Sequence, residues 1–190
     1  MRPRLLSLGA VALVAASLLY PGIVYLSRAV VPPLVFVAAA LALIGLRVAT
    51  LRSPADRVWR VPLLSAAVII AALAALDTPL AVKAYPAAVS LAAATVFAAT
   101  LIYPPSLIER FARLREPDLP PAAQSYCRKV TIVWMVWLIL NTIIAAALSL
   151  PGCDEAWALW TGLVAYLVMG ALFTGEIVVR RIVRGGAADT

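Results

Sequence analysis

Histidine is absent from the sequence. That removes the most common zinc and haem ligand, the Ser-His-Asp triad and His-dependent acyl transfer. Cysteine is nearly absent as well. Cys127 and Cys153 flank one apolar run, so they are expected on opposite sides of a bilayer, unable to bond within one chain, and their spacing is not that of a metal site. Charge is scarce, at 13% of residues. There is no phosphate-binding glycine loop and no nucleophile with a neighbouring base. A carboxylate pair is also hard to assemble, because Asp77, Asp154 and Glu155 are expected on the side opposite Glu176. These absences predict a chain with no catalytic residues, no cofactor and no metal.

What fills the space is hydrocarbon. Of the 190 residues, 64% are hydrophobic, well above the half or so found in soluble domains. Uncharged runs long enough to cross about 30 Å of lipid recur along the chain. The expected fold is an all-α membrane protein, a bundle of about six transmembrane helices plus one short interfacial amphipathic helix. Residues 1–184 form a single polytopic domain and 185–190 a flexible tail. The spans are expected at about 5–26, 29–46, 59–76, 84–103, 130–150 and 156–179. The first follows a basic leader and resembles a signal peptide, but its apolar run is too long for a signal core, so it is read as retained. Pro21-Gly22 marks a break near its end. Asp77-Thr78-Pro79 is expected to close the third span, and Pro151 to Glu155 to form a tight polar turn before the sixth.

The longest polar stretch, 104–129, has its own pattern. Ser106 and Glu109 have the S-x-x-E spacing of a capping box. Leu107, Ile108, Phe111 and Leu114 then fall on one helical face, with Arg110 and Arg113 on the other. This predicts a short helix in the headgroup region, its apolar side in lipid and its arginines toward phosphates. Glu116 to Pro121 should break it and form a stiff connector.

Basic residues decide the orientation. With the N-terminus inside, 14 of the 16 Lys and Arg fall in cytoplasmic segments, leaving only Arg28 and Lys83 outside. So lopsided a distribution predicts both termini in the cytoplasm of a bacterial inner membrane. The net charge of +7 comes from short arginine runs between apolar segments. Such runs suit anionic lipid headgroups, and no basic face suited to nucleic acid is present.

Few residues stand out as candidates. Glu176 is the one carboxylate inside a predicted span, which makes it a candidate proton or substrate site. The plainer reading pairs it with Arg180 at i+4, near the cytoplasmic interface. Asn141 lies mid-span with Trp134 and Trp137 on its face. It could line a polar path, or hydrogen-bond a neighbouring helix. Trp157 and Trp160 read as an interfacial aromatic anchor, Ala171 and Gly175 as a close-packing pair, and Lys83 as an outer-edge cation. Partner contacts are expected from Glu109, Arg110, Arg113 and Arg115.

Two stretches carry a resemblance. Tyr103 to Pro121 (YPPSLIERFARLREPDLPP) and Tyr126 to Trp134 (YCRKVTIVW), followed by Asn141 and Gly175-Glu176, resemble a family of uncharacterised bacterial inner-membrane proteins. Members are often encoded beside genes for aryl-polyene or xanthomonadin-type pigments, and the likeness covers roughly 77–184. More remotely, Asp77, Lys83, Pro86, the segment Pro105-x-x-Ile108-x-Arg110, Leu119-Pro120 and Trp134 resemble the intracellular septation protein A family. The first two spans here lack the polar residues that family would lead one to expect. The resemblance implies a non-catalytic accessory or scaffold protein, linked to envelope lipid or pigment biosynthesis. Its partners would be cytoplasmic biosynthetic enzymes, other inner-membrane proteins or a second copy of the chain. Export of a lipidic or aromatic product by a small oligomer is the alternative.

Overall fold

The computed structural model describes residues 19–20, 22–27, 29–51, 58–114 and 116–186, with side chains up to Arg180. Most of the expected first span, Arg2, Arg4, Arg28, Arg52, Arg57, Arg115 and residues 187–190 lie outside the described residues. All regular structure among the described residues is helical. The order is α1 (22–27), α2 (Pro33–Thr50), α3 (Arg60–Leu76), α4 (Thr78–Ile102), α5 (Leu107–Arg113), α6 (Pro121–Leu148), α7 (Asp154–Leu159), a π-helical turn (Trp160–Val164) and α8 (Ala165–Gly186).

Four helical stretches are long and apolar enough to cross a membrane: Pro33–Thr50, Thr78–Ile102, Pro121–Leu148 and Asp154–Arg180. Arg60–Leu76 is apolar too, but has only 17 residues. At 1.5 Å per residue it spans about 26 Å. Leucines, isoleucines and valines stand exposed on these helices, among them Leu34, Val61, Val68, Ile143, Leu167 and Val178. In water that surface would be unfavourable at about 25 cal/mol per Å² of apolar area. Lipid removes the penalty.

Helix α4 is the centre of the bundle, touching α2, α3, α5 and α6. Its buried face is rich in alanine (Ala81, Ala87, Ala88, Ala92, Ala94). Small side chains let neighbouring backbones come close, which is how helices associate where the hydrophobic effect gives no drive. Helix α2 presents Val37, Ala40 and Ile44 to this core, and α3 presents Leu63, Ala66 and Ile70. Both stripes repeat at i, i+3, i+7, one face of a helix. A second, smaller cluster joins Ala94, Trp137, Leu138 and Ala165. Helix α8 lies at the periphery, its side chains mostly exposed or half-buried.

Several boundaries differ from the sequence expectation. Asp77 does end α3, but it also caps α4: its Oδ1 accepts from the Leu80 N–H at 3.0 Å. With Pro79 in the first turn, Asp77-Thr78-Pro79 is a helix start as well as a stop. So α4 begins at Thr78, not 84, and α3 and α4 are joined by a single residue. Helix α6 begins at Pro121 instead of 130, because a proline at the first helical position costs nothing. The connector is correspondingly short. Asp154 and Glu155 form the first turn of α7, where acidic groups suit the helix dipole. The turn before it is made by Gly152 at φ +85°, a conformation open to glycine.

The chain therefore runs up and down between two ends. Arg47, Arg60, Arg110, Arg113, Arg128, Lys129 and Arg180 lie at the end bearing the 103–120 loop. Lys83 lies at the other, with the Gly152 turn.

Candidate functional site

Pro86 sits inside α4. It lacks an N–H, so the carbonyl of Val82 loses its helical donor, and the ring strains the turn before it. In lipid such freed carbonyls must find other donors. The Tyr20 hydroxyl shares its one proton between the Phe36 carbonyl at 3.2 Å and the Val82 carbonyl at 3.4 Å. The next carbonyl, Lys83, accepts from Trp157 Nε1 at 3.1 Å and from Ser149 Oγ at 3.2 Å. Tyr20 also packs on Tyr85, ring centroids 4.6 Å apart. One proline thus gathers side chains from three other parts of the fold.

Three residues before Pro86, Lys83 pairs with Asp154 of α7. Tyr25, Phe36, Lys83, Asp154 and Trp157 line a cavity of about 290 Å³ there. Lys83 is therefore engaged with a partner helix, not only with the interface. Trp157 corrects the aromatic-anchor expectation: at 2% exposure it is among the most buried side chains in the chain. The indole is spent on a backbone acceptor inside the bundle.

Asn141 bridges three helical segments. Its Nδ2 donates to Ser90 Oγ of α4 at 2.8 Å, and its Oδ1 accepts from Trp160 Nε1 at 2.9 Å. Trp160 stands at the start of the π turn, so the second tryptophan of the expected anchor also points inward. It packs obliquely on Trp137, centroids 6.4 Å apart. Both amide ends of Asn141 are occupied by protein, the interhelical role rather than a lining one.

The 103–120 loop is built differently from the sequence reading. Ser106 makes no side-chain cap bond, and its buried hydroxyl has no partner. The first turn of α5 is capped from outside: the Leu107 N–H donates to Thr100 Oγ1 at 3.1 Å and the Ile108 N–H to Thr131 Oγ1 at 3.3 Å. Each threonine hydroxyl is oriented by donating back along its own helix, to Phe97 and Cys127 carbonyls. Glu109, freed from the capping box, turns inward and pairs with Arg113 at 2.8 Å. Arg113 also donates to the Pro117 carbonyl, and Arg110 to the carbonyls of Pro105 and Tyr103. The arginines expected to face phosphates instead shape the loop. Of the expected lipid face, Leu107 is buried in protein, while Phe111 and Leu114 are exposed.

Glu176 pairs with Arg180 at 2.7 Å, the plainer of its two readings. It lines a groove of about 500 Å³ between α6 and α8, together with Tyr126, Lys129, Trp134 and Gly175. Glu176 and Trp134 thus share one site, while Asn141 belongs to another. Glu109, Arg110 and Arg113 form a third. Sequence reasoning missed Thr100, Thr131, Tyr20 and Ser149. Pro86 inside a hydrophobic run was the available signal for the last two. Among the described residues no group of three or more His, Cys, Asp or Glu converges. No protein-family model, curated protein or solved structure matches this chain.

Proposed function

We propose that this protein is a non-catalytic accessory of the bacterial inner membrane, six spans with both ends in the cytoplasm, presenting a preformed cytoplasmic platform. The platform docks envelope-lipid or pigment biosynthetic enzymes, or another inner-membrane protein. One observation carries the reading. The 103–120 loop is pinned to α4 and α6 by Thr100 and Thr131 and braced by Arg110 and Arg113, yet leaves Phe111 and Leu114 exposed, at 56% and 80%. Fixing a loop in advance lowers the ordering cost that binding would otherwise carry. Exposed aromatic and aliphatic side chains on such a loop suit a partner contact.

The test is photocrosslinking from position 111 or 114 in native membranes. A discrete protein adduct is expected from either position, and the one from position 111 should be lost in Leu114→Ser. Adducts with lipid alone at both positions would sink the platform. Substituting Arg110 or Arg113 is a poorer test, since either change would dismantle the loop itself.

Export of a lipidic or aromatic product is the alternative, supported by the 290 Å³ cavity beside Lys83 and Asp154. It requires flux in proteoliposomes that falls in Lys83→Gln.

A further inference from the structure

The groove between α6 and α8 is apolar along its length and polar at one mouth. Val133, Trp134, Val168 and Leu172 form its walls, with Ala171 and Gly175 at its floor. Apart from the adjoining residues and backbone of its own helix, nothing lies within 4 Å of where a Cβ on Gly175 would be, so there is space beside it. At the mouth the Tyr126 hydroxyl donates to the Glu176 carbonyl at 3.4 Å and joins the two helices. Arg180 neutralises Glu176 there. Lys129 lines the same mouth, is exposed, and forms no ion pair with any described residue. Arg128, next in sequence, turns away from the groove and donates to the Leu101 carbonyl of α4 at 3.0 Å.

We propose that this groove is a binding site for an anionic phospholipid of the surrounding bilayer. One acyl chain lies along Val133, Trp134 and Leu172, and the phosphate is held by Lys129 at the mouth. Charge selects this occupant. The mouth carries Lys129, which has no ion-pair partner among the described residues, against a Glu176 already compensated by Arg180, so it attracts an anion. A second copy of the chain seated here in the same orientation would bring another Lys129 without an ion-pair partner to the same end, like charge against like. A zwitterionic lipid would fill the groove as well but leave the Lys129 charge unmatched. The inference rests on α6 and α8 lying in lipid and is independent of which leaflet faces the mouth.

Trp134 is a built-in reporter. The protein is reconstituted in phosphatidylcholine vesicles containing equal fractions of either brominated phosphatidylglycerol or brominated phosphatidylcholine. Subtracting the fluorescence of Trp134→Phe isolates the Trp134 signal. Phosphatidylglycerol should quench that signal with roughly fivefold higher apparent affinity, the effect of one interfacial lysine. Lys129→Gln should bring the two lipids to parity. Gly175→Leu, filling the space beside it, should abolish the preference, with unchanged quenching of the other tryptophans as the control for folding. Equal quenching by both lipids in the unaltered protein, or a preference that survives Lys129→Gln, would overturn the proposal. So would a Gly175→Leu protein that changes its oligomeric state while keeping the preference, because the groove would then hold a second copy.

Discussion

Asn141 puts the choice between function and structure into one side chain. An amide in mid-span is costly unless satisfied, and here Ser90 and Trp160 satisfy both of its ends. Asn141→Leu keeps the volume, removes both bonds and leaves the Trp160 indole N–H without its acceptor. Interhelical bonds in lipid average about 0.6 kcal/mol and reach about 1.7. The substitution should cost about 1–2 kcal/mol in an unfolding titration from mixed micelles, and Trp160→Phe about half as much. The double variant should be less than additive, because the two share one bond. Unchanged stability in Asn141→Leu would remove the structural role assigned here. The sequence showed that Asn141 lay with tryptophans, but not which one it would meet. Trp134 and Trp137 shared its helix face, whereas its donor is Trp160, from a different helix and beside a π turn that no local pattern announces.

Helices α4 and α5 differ from the sequence reading for a common reason: their polar groups are satisfied from other elements. For α5 the S-x-x-E pattern promised a local capping box, and the structure caps the helix with Thr100 and Thr131 instead. Ser106→Ala should therefore be close to neutral. Thr100→Val and Thr131→Val should each cost about 1 kcal/mol, the usual loss on removing a cap, and should speed amide exchange at Leu107 and Ile108 respectively. A costly Ser106→Ala with harmless threonine changes would restore the capping box. For α4, Pro86 was legible as a proline within an apolar run, but the donors it would recruit were not, because Tyr20 and Trp157 are distant in sequence. Tyr20→Phe should destabilise the protein by about 1 kcal/mol. The cost should shrink in a Pro86→Ala background, where residue 86 again has an N–H for the Val82 carbonyl. Equal costs in both backgrounds would show that the Val82 contact contributes little. The apolar stripes of α2 and α3 were far easier to anticipate, since burial there depends only on spacing along one helix. Hydropathy hides the helix starts at Thr78 and Pro121: the apolar runs begin only after Lys83 and Lys129, whereas the helices continue through those charged turns.

On the scale of the molecule, the two ends are chemically unlike. At the Gly152 turn the one lysine is matched by Asp154, and Asp77 and Glu155 leave that end with an excess of negative charge among the described residues. At the loop end Arg128 and Lys129 stand exposed, and the chain carries most of its arginines in the same segments. Charge bias of this kind sets orientation during insertion, which predicts the Gly152 turn outside and the loop inside. An alkaline-phosphatase fusion after Asp154 should accordingly be active, and one after Arg115 inactive. The two cysteines offer a check without a fusion. Cys153 is half-buried at the turn, while Cys127 is buried within α6. A membrane-impermeant maleimide applied to intact spheroplasts should label the protein at Cys153, and Cys153→Ser should abolish the signal. Cys127 should stay unlabelled even after permeabilisation, since protein packing and not the membrane shields it. Labelling of Cys153 that appears only once the membrane is opened would invert the molecule and move the Phe111–Leu114 platform to the outer face, where no cytoplasmic enzyme can reach it.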